Sequence, residues 1–187
     1  MIAPELQSVE QVGPRGLRTA FGSFPTGVTA VCTLGDNGPD GMAASTFTPV
    51  SLDPPLVSVC VQESSTTWPR LRGSGRLGVT VLGADQESTC LSLSRRTGDR
   101  FAGVEWVADP AGAVFVSGAA AWLDCVVASE VEAGDHLIVL LQVLGLRSDP
   151  AASPLVFHGS RFRSLLGTPV DQPGPRPDPS VRTWRSG

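Results

Sequence analysis

Between Val28 and Gly41 the sequence dictates a hairpin. Val28 to Leu34 is an apolar run rich in β-branched residues, which fit a pleated, half-buried surface. Gly35-Asp36-Asn37-Gly38-Pro39-Asp40-Gly41 follows, and this is turn chemistry throughout. A hairpin needs partners to bury its apolar face, and the chain supplies them. Leu56 to Val61 is a continuous apolar run closed by Gln62-Glu63, and Arg76 to Leu82, Val114 to Leu123, Cys125 to Val131 and His136 to Arg147 also read as strands. Leu137 to Leu141 reads as a segment buried on both faces, and Leu155 to Phe157 with Phe162 to Leu165 predicts one short further pair. Helices are predicted at Pro14 to Gly22, from the hydroxyl-rich Ser64-Ser65-Thr66-Thr67-Trp68-Pro69, and at Asp85 to Arg96. The last has acidic residues at its start and Arg95-Arg96 at its end, as the helix dipole prefers. Residues 97–113 read as an irregular connection. Many strands with few helices predict a mainly β fold, an antiparallel barrel or sandwich.

The 187 residues suit one domain. Residues 1–13 read as a flexible arm, 14–166 as the domain, and the proline-rich 167–187 as a disordered tail. The net charge of −4 and the lack of a basic run argue against nucleic acid and membrane as partners. All fourteen basic residues are arginines, so Schiff-base chemistry and a lysine anchor for phosphate are excluded. Met1 to Glu10 lacks the pattern of a signal peptide, and no apolar stretch approaches the ~20 residues that span a bilayer. A cytoplasmic protein is expected. Cys32, Cys60, Cys90 and Cys125 form no C-x-x-C pair and only two histidines accompany them. That argues against a metal site and for reduced thiols, most of them buried.

The stretch Asp40 to Pro55 reads D-G-M-A-A-S-T-F-T-P-V-S-L-D-P-P. Gly41, Ala43 and Ala44 let a ligand or another backbone come close. Ser45, Thr46, Thr48 and Ser51 place four hydroxyls within seven residues. Such a segment suits a polar ring system or phosphate, or it is an ordinary Ser/Thr-rich loop between strands. Asp53-Pro54-Pro55 is expected to leave it as a stiff extended exit. Ser65, Thr66 and Thr67 have the same two readings, a simple helix cap or a phosphate seat at free amides.

Several of these strings together resemble one family. Phe24-Pro25-Thr26-Gly27-Val28-Thr29, Asp40-Gly41-Met42-Ala43-Ala44-Ser45-Thr46-Phe47 and Val50-Ser51-Leu52-Asp53-Pro54-Pro55-Leu56-Val57 resemble the flavin reductases, the small components of two-component flavin-dependent monooxygenases. The likeness continues through Asp99-Arg100-Phe101-Ala102-Gly103-Val104-Glu105-Trp106, Gly134-Asp135-His136 and Pro154-Leu155-Val156-Phe157-His158, covering about Arg15 to Leu165. The resemblance implies an antiparallel split β-barrel, Greek-key-like, with a few short helices, working as a homodimer. It implies hydride transfer from NADH or NADPH to exchangeable FMN or FAD, and delivery of reduced flavin to a separate monooxygenase.

Carried over by position, the resemblance implies flavin contacts from Asp40, Gly41, Met42, Ala43, Ala44, Ser45 and Thr46. Cys60, Val61 and Gln62 would lie along the ring or its side chain, and Ser65, Thr66 and Thr67 would hold phosphate. Family members carry an Arg-Phe pair in the helix after the fourth strand; the matching positions here are Ser92 and Leu93. Arg95 or Arg96, one turn on, is the candidate to supply the missing charge. A lone histidine such as His136 is more often structural, but matched to the family's Gly-Asp-His it becomes the residue that positions nicotinamide, oriented by Asp135. Where relatives have Arg-Gly after an aromatic, this chain reads His158-Gly159-Ser160-Arg161, with Arg161 the candidate for a phosphate or carboxamide contact.

Hydride transfer between stacked rings needs little acid–base machinery, so the lack of a nucleophile triad or paired carboxylates accords with this reading. Two alternatives compete with it. A non-catalytic flavin carrier or sensor would need no nicotinamide site, and a split-barrel oxidase such as a pyridoxamine phosphate relative would want a lysine and a basic cluster for the substrate phosphate, which the chain lacks.

Overall fold

The computed structural model describes residues 4–165; the expected tail, 167–187, lies outside the described residues. In chain order the elements are α1 (Val9–Phe21), β1 (Thr26–Gly27), β2 (Thr29–Gly35), β3 (Gly38–Ala44), β4 (Thr48–Leu52) and β5 (Pro55–Gln62). Then come α2 (Trp68–Leu71), β6 (Leu77–Val81), α3 (Glu87–Leu93), β7 (Trp106–Ala108) and β8 (Val114–Val116). The chain continues through β9 (Ala121–Ala133), β10 (His136–Ser148), β11 (Val156–His158) and β12 (Arg161–Arg163). Seven strands form one antiparallel sheet in the order β3-β2-β6-β9-β10-β5-β4. β1-β11-β12 and β7-β8 are separate small sheets.

β2 is buried on both faces, and alternation along a strand assigns its side chains to two cores. Val31 joins Val57, Val59 and Val61 of β5, Val139 and Leu141 of β10, and Trp68 and Leu71 of α2 in the first core. Ala30 and Cys32 join Leu93 of α3, Val114 and Val116 of β8, and Phe101 in the second. Gly78 lets β8 cross β6 at close range, since a Cβ there would stand 2.0 Å from the Val114 carbonyl oxygen.

The hairpin at 35–41 forms as expected, with Gly35 opposite Gly38. Six expectations need correction. The arm expected at 1–13 is already helical from Val9, where Ser8 and Gln11 build a capping box; Gly13 at φ +60° breaks that turn, and the helix expected from Pro14 follows it to Phe21. α3 is shorter than 85–96, covering Glu87–Leu93. Strands Val114–Leu123 and Cys125–Val131 are redivided: the break falls at the Ser117–Gly118 turn, with Gly118 at φ +71°, and β9 runs unbroken through Asp124. Leu137–Leu141 is fully buried only at Val139 and Leu141, the alternate residues being half-buried. Asp53-Pro54 is a tight turn between β4 and β5, and not an extended exit. The irregular 97–113 connection also contains β7, which pairs with β8.

Candidate functional site

The end of β3, the end of β5, the loop into α2 and the segment after α3 surround a cleft of about 710 Å³. β3 is an edge strand, and its register decides which amides face out. The Val28 carbonyl accepts from the Leu82 amide on the β6 side, so Thr29, the next residue, turns its backbone groups to Ala44 of β3. Alternation then directs the backbone groups of Gly41, Ala43 and Ser45 away from the sheet, at the open edge. Gly41 has no substitute there: a Cβ would meet the Cys32 Sγ at 2.5 Å and the Val31 carbonyl oxygen at 3.0 Å.

After β3 the chain bridges to β5 through one side chain. Thr46 Oγ1 accepts from the Cys60 amide at 2.8 Å and donates to the Cys60 carbonyl at 3.0 Å. The loop that follows β5 is fixed at three points. Ser65 N donates to the Gln62 carbonyl at 2.9 Å, Glu63 N donates to the Asp135 carbonyl at 3.0 Å, and Ser65 Oγ accepts from Trp68 N at 3.2 Å. Trp68 is buried and donates its ring N–H to Glu130 of β9 at 2.9 Å, so α2 cannot drift. Ser64, Ser65, Thr66 and Thr67 are thereby held along the cleft.

Arg100 joins three segments: Nε donates to the Arg95 carbonyl at 2.7 Å, Nη1 donates to the Gly41 carbonyl at 3.0 Å, and Nη1 also bonds the buried Thr67 hydroxyl. Asp40 is occupied by Arg70, whose Nε and Nη2 donate to its two oxygens at 2.5 and 3.2 Å, while Arg70 Nη1 holds the Thr66 carbonyl. On the opposite wall His136 opens β10 directly across from Gln62 of β5. Its Nδ1 lies 2.7 Å from Asp135 Oδ1, leaving Nε2 for a ligand. The hydrogen bond to the ring, and then the ring's charge, hold the Asp135 carboxyl below its usual range.

Of the residues singled out in the sequence, the structure brings Met42, Ala43, Ala44, Ser45 and Thr46 of the β3 edge onto this cleft. Cys60, Val61 and Gln62 of β5, Ser65, Thr66 and Thr67 of the loop, Arg96 and His136 also line it. Asp40 faces a neighbouring polar cavity of about 290 Å³, and Gly41 lies beneath Arg100. Arg95 does not line the cleft; its carbonyl supports Arg100. His158 and Arg161 pair with each other across the β11–β12 turn, and Gly159 N donates to the Gly22 carbonyl. Their turn reaches the cleft only indirectly, through an apolar cavity of about 370 Å³ that Phe157, Ser160 and Phe162 share with Ala43, Ala44, Ser45 and Ser94.

Ser64, Leu93, Ser94 and Arg100 line the cleft and were not picked out from the sequence. For Arg100 a signal existed in the string Asp99-Arg100-Phe101. Gly73-Ser74-Gly75-Arg76-Leu77-Gly78 has the G-x-G-x-x-G spacing, so the expectation that the chain carries no such string is corrected, while the absence of a Rossmann fingerprint is not. It leads from a helix into β6, the reverse of the strand-to-helix order of a dinucleotide fingerprint.

The donor set suits an elongated ligand with an anionic tail. Hydroxyls and the Arg96 and Arg100 guanidiniums gather on one side, where they can hold phosphate. Ala43, Ala44, Cys60 and Val61 offer narrow walls for a planar ring, and His136 stands beside them.

A Flavin reductase like domain matches residues 21–166. The chain belongs to the flavin reductase family. It is 35% identical over 158 residues to the flavin-dependent monooxygenase reductase subunit HsaB of Rhodococcus jostii, covering 84% of this chain and 81% of that one. It is 41% identical over 168 residues to an NADH-dependent FAD reductase of Streptomyces globisporus, covering 87% and 92%. Among solved structures, the Streptomyces globisporus NADH:FAD oxidoreductase SgcE6, in complex with NAD and FAD fragments, superposes with a TM-score of 0.80 at 38% identity, over 90% of this chain and 100% of that one. BorF, the flavin reductase component of a bacterial two-component tryptophan halogenase, gives 0.75 at 36% identity, over 83% and 100%. Ser92 and Leu93, at the positions matched to the family's Arg-Phe pair, are buried on α3, with Leu93 at the cleft.

Proposed function

We propose that this protein is an NAD(P)H-dependent flavin reductase that binds FMN or FAD in the cleft and hands reduced flavin to a separate monooxygenase, working in the cytoplasm. The observation that carries the reading is the cleft itself: one wall of small residues and outward amides, one hydroxyl loop with Arg100 behind it, and His136 facing both. Flavin supplies the ring that accepts hydride, and NADH or NADPH supplies the hydride.

The chain's own residues bind and orient. The β3 edge offers hydrogen bonds without side-chain bulk, so a planar ring can approach the backbone. Ser65, Thr66 and Thr67 hold the phosphate, with charge from Arg100 in place of the family's helix arginine. His136, aimed by Asp135, positions the nicotinamide so that the donor and acceptor rings stack at reacting distance. No side chain is required to carry a proton in the transfer. The open cleft suits a flavin that must leave to be used.

The homodimer and the split barrel belong to the same proposal. Thr46 joins the chain leaving β3, at one end of the seven-stranded sheet, to β5 near the other end, as a curled sheet requires. Val50 and Leu52 on the exposed β4 and the half-buried Ile138 and Leu140 of β10 provide apolar surface for a second copy.

The test is anaerobic oxidation of NADH and of NADPH with added FMN or FAD, for the native chain and His136→Ala. Turnover that depends on added flavin and falls in the variant is expected. Flavin binding without turnover with either nucleotide would favour a carrier and sink the reductase.

A further inference from the structure

The polar cavity beside the cleft shares Thr66, Arg96 and Arg100 with it. Its charged groups are otherwise committed. Arg70 is held by Asp40 and the Thr66 carbonyl, and Arg100 by Thr67, Gly41 and Arg95. Asp99 Oδ1 accepts from the Phe101 amide at 2.8 Å. Arg96 differs. Among the described residues its guanidinium makes no hydrogen bond and no ion pair, although it stands where the two cavities meet. With Asp40 neutralised by Arg70, the cavity keeps two guanidiniums against the single carboxylate of Asp99, so it favours an anion.

We infer that this cavity receives the second phosphate of a dinucleotide flavin, that Arg96 is the residue that reads it, and that the chain therefore selects FAD over FMN. The inference rests on the flavin reductase reading. Thr66 belongs to the hydroxyl loop proposed for the first phosphate and also lines the second cavity, so a chain of two linked phosphates can pass from one to the other without leaving protein. FMN ends at the first. A free guanidinium at the junction contributes only to the longer ligand, through charge-assisted hydrogen bonds worth about tenfold or more in affinity. A nicotinamide dinucleotide carries the same diphosphate chemistry. The flavin is favoured because the cavity adjoins the loop and not the His136 wall.

The experiment titrates the native chain, Arg96→Gln and Arg96→Lys separately with FAD and FMN, without nicotinamide, following flavin fluorescence. The NADH KM is then measured at saturating flavin. The native chain is expected to bind FAD at least about tenfold tighter than FMN. Arg96→Gln should raise the FAD Kd by about tenfold and leave the FMN Kd within about twofold, with Arg96→Lys between. Equal losses for both flavins would put Arg96 on the first phosphate and overturn the inference. An unchanged FAD Kd with a raised NADH KM would assign the cavity to the nicotinamide nucleotide and overturn it equally. Binding of neither flavin by the native chain would overturn the reductase reading itself, and this inference with it.

Discussion

Thr46 Oγ1 bonds both backbone groups of Cys60, at 2.8 Å from the amide and 3.0 Å from the carbonyl. The pair stands in register with Thr48 and Ser58, the first residues joined in the β4–β5 ladder. A side chain therefore takes the place of a strand partner, and the main chain of Thr46 is released from the ladder at the mouth of the cleft. One hydroxyl thus ties the chain leaving β3 to the end of β5 beside the cleft. Thr46→Val keeps the shape and removes both bonds. It should cost about 1–2 kcal/mol in urea unfolding and weaken flavin binding several-fold, while Thr46→Ser stays near native. A Thr46→Val chain with unchanged flavin affinity would limit the hydroxyl to a structural role.

Arg100 spans the Gly41 carbonyl, the Thr67 hydroxyl and the Arg95 carbonyl with one planar group. An ammonium cannot serve that geometry, because its donors radiate from a single point. Arg100→Lys should therefore raise the Kd of both FMN and FAD by about tenfold or more, despite conserving charge. Titration of both flavins separates this from the behaviour expected at Arg96, where only FAD responds. Native affinity in Arg100→Lys would show that charge alone is needed.

The Asp135 carboxyl is exposed and held below its usual value of 3.8, first by its hydrogen bond to the His136 ring and then by the ring's charge. For a carboxyl whose folded pKa is lowered, the favourable interaction is complete above the unfolded pKa and disappears as pH falls through the folded one. Asp135 thus stays ionised from about pH 5 to 8, and a carbon NMR titration of its carboxyl should show a midpoint below 3.8. Asp135→Asn should lower kcat/KM for the nicotinamide nucleotide by about tenfold, with flavin Kd unchanged, because it loosens His136 and not the flavin walls. Equal loss of flavin affinity would move the pair from nicotinamide to flavin.

What the sequence reveals and what it hides divides along one physical line. The 35–41 turn and the Leu56–Val61 strand are local chemistry, and both appear where composition places them. The small residues and hydroxyls of 40–46 fit a ligand edge or an ordinary loop between strands, and only the neighbouring strings shared with the family favour the first. Arg100 was hidden because its partners stand at Gly41 and Thr67, so no periodicity links them. Arg95 and Arg96 were equivalent in the sequence, since only the end of α3 at Leu93 decides which of the two faces the cleft. The two-sided burial expected of Leu137–Leu141 failed for a similar reason: a run of leucines does not say which face lacks a neighbour.

The absence of lysine and tyrosine from the whole chain leaves the alkaline range unusually simple, because cysteine is then the only side-chain type titrating between about pH 8 and 11. Burial pushes the Cys125 thiol up to about 12, with Asp124 adding to the rise and Arg76 opposing it. Burial raises Cys32 further, and Asp40 adds to it. Above about pH 9 the unfolded chain loses these protons while the folded chain keeps them, so the unfolded state binds fewer protons and stability falls as pH rises. The stabilisation is complete below the ordinary thiol pKa and is lost toward the folded value. Urea unfolding between about pH 8.5 and 10.5 should show a decline approaching about 1.4 kcal/mol per pH unit for each such thiol. Cys125→Ala should lower stability at neutral pH by about 1 kcal/mol through lost packing, yet flatten the alkaline decline by one thiol's share. A slope identical in the native chain and the variant would show that Cys125 ionises freely in the folded state, and that the β9–β6 interface around it admits water.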